Sequence, residues 1–172
     1  IRTSSTAPYP LADTTRRAID TPSADQTVEC DGSGNAAQLA AWLASNGGAT
    51  ASDICSGVNW SNNYTGLSDG CGNTGNATVI FTATDSCGNS TSTTATFTIE
   101  DTTAPTIDTP SADQTVECDG SGNAAQLAAW LASNGGATAS DICSGVNWSN
   151  NYTGLSDGCG NTGNATVIFT AT

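Results

Sequence analysis

The chain has 172 residues and a formal net charge of −13 at pH 7; Arg2, Arg16 and Arg17 are its only basic side chains, and histidine is absent. Nucleic acid and anionic lipid are poor partners for such a surface, because both are bound by cations that displace counterions. Without His or Lys, the familiar general bases and activated nucleophiles are missing and only a carboxylate pair is left for catalysis, so the chain reads as a non-enzyme.

Residues 19–84 recur without change as residues 107–172, a period of 88 that is too long for a solenoid and suits small autonomous domains in tandem. Residues 3–15 align at the same offset with residues 91–103. The expected organisation is therefore residues 1–17 as the last strand of a preceding repeat plus a linker, residues 18–103 as one complete repeat, and residues 104–172 as a second repeat lacking its last strand. In residues 3–11, Ala7, Tyr9 and Leu11 take the positions of Ala95, Phe97 and Ile99, while Pro8 and Pro10 fall outward. Prolines at those positions place this last strand at or near a sheet edge.

Within the repeat, residues 26–30 read as a short strand. Residues 35–48 read as a helix, with Ser33 or Asn35 as cap, Leu39, Trp42 and Leu43 as its apolar stripe and Gly47 as its stop. This helix is expected to cover an open end or a face of a sheet. Residues 58–61 form another short strand, with Trp60 as a core anchor. Residues 77–84 alternate, with Ala77, Val79, Phe81 and Ala83 inward and mostly threonine outward; after the turn residues 85–89, a second alternating run turns Ala95, Phe97 and Ile99 inward. The fold class expected is all-β, with one short helix inserted per repeat.

Seven cysteines, at positions 30, 55, 71, 87, 118, 143 and 159, include no Cys-x-x-Cys pair. Disulfides account for them better than zinc, which implies an oxidising compartment. Four cysteines per repeat allow three connectivities. No signal peptide and no apolar span of membrane length occurs in the sequence, so direct membrane insertion is not expected and targeting information is assigned to chain outside this segment. No cofactor is expected. Calcium is the candidate ion, held by Asp53, Asp85, Glu100 and Asp101 where stacked beads bring polar loops and linker together, against the ordinary role of such acids as solvated turn residues. Trp42, Trp60 and Tyr64 are packing residues or a sugar-stacking platform.

Residues 81–89 (Phe81-Thr82-Ala83-Thr84-Asp85-Ser86-Cys87-Gly88-Asn89), residues 95–105 and the Ala51-Ser52-Asp53-Ile54-Cys55-Ser56-Gly57 stretch resemble the hyalin repeat. The helix-containing, cysteine-rich version here is most similar to repeats of very large surface proteins of Bacteroidetes. The helix and Cys71 depart from the animal hyalin repeat, and Arg16-Arg17 stands where the next junction has Ala104-Pro105. The resemblance implies tandem immunoglobulin-like β-sandwiches in an extracellular adhesin or filament at a bacterial cell surface. It implies the pairs Cys30–Cys71, Cys55–Cys87 and Cys118–Cys159, with Cys55–Cys71 as the alternative, and Thr102 as an O-glycosylation acceptor. The function it implies is a structural shaft, with a glycan- or surface-binding module as the alternative. The implied partners are neighbouring repeats, in a continuous array or joined head to tail by strand complementation through residues 3–11.

Overall fold

The computed structural model describes residues 8–9 and 18–172. The chain is β-rich, with few helices and several sheets, and divides into two compact units. The first holds the described residues up to Glu29 together with Ser33–Gly70 and Thr74–Glu100; the second holds Asp101–Thr172 together with Cys30–Gly32 and Cys71–Asn73.

The first unit contains β1 (Ala18–Thr21), β2 (Gln26–Glu29), helix α1 (Ala36–Ala44), β3 (Thr50–Ser52), β4 (Asn59–Asn62), β5 (Gly75–Thr84) and β6 (Ser90–Glu100). The β5–β6 hairpin pairs from Gly75↔Ile99 to Thr84↔Ser90. Its alternation sends Val79, Phe81, Ala83, Ala95, Phe97 and Ile99 to one buried face and hydroxyls to the other, where the side chains of Thr78 and Thr96 meet at 3.0 Å. Burial of Phe97 and Ile99 alone contributes roughly 3–6 kcal/mol by area transfer. α1 covers this face: the Trp42 ring lies 5.2 Å from Phe81 and 5.5 Å from Phe97, and its indole N–H donates to the Ala24 carbonyl at 3.1 Å. β1 and β3 form a separate antiparallel pair, tied to β6 through Ser23, whose N–H donates to the Thr93 hydroxyl at 3.1 Å.

The sheet order is β2-β6-β5-β4, so β6 lies near an edge, one strand in from β2, and is paired on both sides. It runs antiparallel to β5 and parallel to β2, with Phe97 opposite Gln26. Thr96 donates its N–H to the Asp25 carboxylate at 2.8 Å, so the even-numbered amides of β6 face the β2 side and the odd-numbered ones face β5. Prolines at the positions of Thr96 and Thr98 would therefore interrupt the β2 side and leave the ladder to β5 whole. Trp60 is half-buried on β4 opposite Ala83; Trp42 is the tryptophan buried in the core.

Asn35 starts α1 in a left-handed conformation (φ 50°) with no capping bond from its side chain. Its fully buried amide donates to the Glu29 carbonyl at 2.8 Å and to the Gln38 side chain at 3.0 Å, which pins the helix start to the end of β2. Gly47, just past the helix, has φ +64°, and a Cβ there would lie 2.9 Å from Ser23 Cβ and 3.2 Å from the Phe81 ring. Both backbone conformation and space require glycine at that point.

The second unit repeats the local pieces: β7 (Thr106–Thr109) pairs with β8 (Thr138–Ser140), and α2 (Ala124–Ala132) starts at a left-handed Asn123 (φ 53°). Its longer strands differ. The residues matching β5 form only β10 (Phe169–Ala171), paired with β9 (Trp148–Asn150), and residues 114–117, which match β2, are not in a strand. Leu127, Trp130, Ala165, Val167 and Phe169 are half-buried where Leu39, Trp42, Ala77, Val79 and Phe81 are buried. Helix and turns thus recur in both units, as expected of locally encoded structure.

Candidate functional site

A groove of about 660 Å³ lies in the second unit. Residues 114–117 form one wall, Leu127 and Trp130 the floor, and Ala165 and Val167 the other wall. Asn151 donates its N–H to the Ile168 carbonyl at 3.3 Å, and its side-chain oxygen accepts the Ile168 N–H at 2.8 Å. Backbone alternation consequently directs the N–H and C=O groups of Ala165 and Val167 to the opposite side, into the groove. The Trp130 ring stands 5.2 Å from Phe169, and its indole N–H donates to the Ala112 carbonyl at 3.0 Å. The groove therefore offers an apolar floor beside a row of backbone hydrogen-bonding groups, the chemistry that receives an extended peptide.

Of the residues expected to donate such a strand, Tyr9 is described and is 90% exposed. Ala7 and Leu11 lie outside the described residues, as do Arg2, Arg16 and Arg17.

Cysteine pairing differs from the expectation. Cys30 is joined to Cys143 with Cα atoms 6.0 Å apart, which displaces the pair Cys30–Cys71. The cause is local: Asn73 donates its N–H to the Cys143 carbonyl at 3.0 Å, and its own carbonyl lies 3.8 Å from Cys30 Sγ, so Asn73 holds the two cysteines side by side. Cys87, Cys118 and Cys159 are exposed free thiols, so Cys55–Cys87 and Cys118–Cys159 are not formed. Cys118 Sγ lies instead 3.6 Å from the Asn161 carbonyl. Cys143 was identifiable in sequence only as the cysteine left over from the expected pairs.

Two of the acids proposed for calcium sit in turns. Asp53 accepts the N–H groups of Cys55 and Ser56 at 3.1 and 2.9 Å. Asp85 is buried in the β5–β6 turn and accepts the N–H groups of Cys87 and Asn89, both at 2.8 Å. These carboxylates close turns. Glu100 is exposed at the end of β6, and Thr102 is exposed just beyond it. Asp101 lies instead with Asp141, the counterpart of Asp53, and Cys143, their ligand atoms within 4.8 Å of one another. Since Cys143 is disulfide-bonded, this group presents two carboxylates and no thiolate. Asp119 is held below the usual carboxylate range, chiefly by the N–H of Ser121 and then that of Asn123, at 2.8 and 3.1 Å.

Trp42 is in the core, so it contributes nothing to a sugar platform; Trp60 and Tyr64 are half-buried. Among the described residues no helix is long and apolar enough to cross a membrane. No protein-family model matches the chain, and no curated protein matches it.

Proposed function

We propose that this chain is a structural segment of an extracellular surface filament or giant adhesin, built from tandem immunoglobulin-like β-sandwich repeats of the hyalin type. The observation that carries this reading is the unchanged recurrence of residues 19–84 as residues 107–172, outward-facing residues included. A shaft lengthens by adding copies, whereas a catalytic site gains little from serial duplication. The Cys30–Cys143 disulfide is compatible with an oxidising exterior. The acidic, threonine-rich surface favours solubility over self-association through charge or apolar patches.

Deleting the coding sequence tests the proposal. Mutant cells should lose surface filaments or surface attachment and should grow normally on soluble nutrients. Unchanged surface structures and unchanged attachment would refute it.

A further inference from the structure

We infer that the Cys30–Cys143 bond is a tension bypass: a pull along the chain passes from β2 through the bond to the residues after Cys143, and the chain between the two cysteines is off the covalent load path. The inference deepens the proposed shaft function, on which it rests, by saying how such a shaft bears load.

What the bond encloses carries the argument. Among the described residues, the buried apolar side chains begin with Cys30 and end with Cys143. Leu39, Trp42, Val79, Phe81, Phe97 and Ile99 all lie between them in sequence, so the core of the first unit falls inside the covalent ring. The elements α1, β3 to β8 and α2 are inside the ring as well, and β1, β2, β9 and β10 are outside it. With Cα atoms 6.0 Å apart, the bond replaces a sequence separation of 113 by a step about as long as two residues of extended chain.

The enclosed hairpin is poorly built to carry tension itself. Its two ends lie side by side, with Gly75 opposite Ile99, so a pull applied at them would open the ladder one pair at a time and soon reach Ala77 and Phe97. The bond is also shielded. Cys30 is 7% exposed and Cys143 5%, so a reductant reaches the sulfurs only when the surrounding loops open. Asn73 contacts both cysteines, so their apposition does not depend on the bond alone.

The test is single-molecule stretching of the full chain, residues 1–172, held by handles fused to its two ends. The exposed thiols Cys87, Cys118 and Cys159 are first blocked with iodoacetamide to exclude adventitious disulfides. The oxidised chain should stop lengthening at about 200 Å, the reach of the residues outside the ring. Dithiothreitol added under tension takes up the bond as its own cyclic disulfide, leaves Cys30 and Cys143 as thiols, and should release about 370–400 Å more. Cys143→Ser should show the long extension without reductant, and Cys118→Ser should keep the short one. Phe81→Leu, which loosens the enclosed core, should lower the opening force of the Cys143→Ser chain and leave that of the oxidised chain unchanged. An oxidised chain that stretches well past 200 Å, or a reduced chain that gains no length, would overturn the inference. An equal drop in opening force in the oxidised chain would show that load reaches the core and would overturn it too. Every readout is the length or opening force of one isolated chain and none bears on the deletion phenotype, so failure of this inference and failure of the shaft proposal are distinguishable.

Discussion

Trp42 and Trp130 occupy the same place in the same sequence, and truncating each in turn measures what the central strand contributes. Trp42 is 4% exposed and touches both Phe81 and Phe97; Trp130 is half-buried and, among the described residues, its aromatic contact is with Phe169. Both indoles donate to a carbonyl at nearly the same distance, 3.1 and 3.0 Å, so the polar term cancels in the comparison. Trp42→Ala should cost about 3–5 kcal/mol, the range for truncating a buried aromatic. Trp130→Ala should cost about half as much, because much of its ring is already in contact with water. In urea unfolding followed by far-UV circular dichroism, the first unit should give the later of two transitions. With m near 1.5–2 kcal/mol/M, Trp42→Ala should move that transition down by about 2 M, and Trp130→Ala should move the earlier one by about 1 M. Equal shifts would refute the reasoning, since they would mean that β6 adds nothing to the environment of Trp42.

Gly47→Ala combines a left-handed backbone with a collision against Ser23 and Phe81 and should cost about 2–4 kcal/mol, whereas Gly48→Ala, at φ +80° in open space, should cost about 1 kcal/mol; thermal unfolding of the two variants checks the order. The Cys30–Cys143 bond closes a sequence separation of 113 residues, which corresponds to about 5 kcal/mol in the chain-entropy model. Because residues around Cys30 and Cys118 are the same, thiol titration of denatured, unreduced variants identifies the bonded one: Cys143→Ser should add one free thiol and Cys118→Ser should remove one. The lowered pKa of Asp119 means that its stabilising effect on the turn is fully present at neutral pH. That effect begins to fail only as pH falls below about 4, through the depressed folded-state value. The NMR shift of the Ser121 amide should follow this titration, and Asp119→Asn should abolish it.

The hairpin and the helix were legible because their periodicities are long and clean: seven inward residues from Ala77 to Ile99, and Leu39 with Trp42 on one helical face. The place of β6 in the sheet was legible only in part. Pro8 and Pro10 point to a strand at or near an edge, and β6 lies one strand in; in a mixed sheet alternate amides serve different neighbours, so two prolines of one parity are compatible with pairing on the other side. The parallel partner β2 carries a single apolar residue, Val28, too little for a pattern to reveal. Cysteine pairing escaped because repetition suggests that matching residues behave alike, while Asn73 holds Cys30 beside Cys143 and Cys118 remains exposed.

Immunogold electron microscopy of intact source cells, with an antibody raised against folded residues 18–172, tests the structural role most directly. The account predicts label on unpermeabilised cells, spaced repeatedly along filaments that leave the cell surface. Label that appears only after permeabilisation, or that is confined to the cell interior, would contradict it.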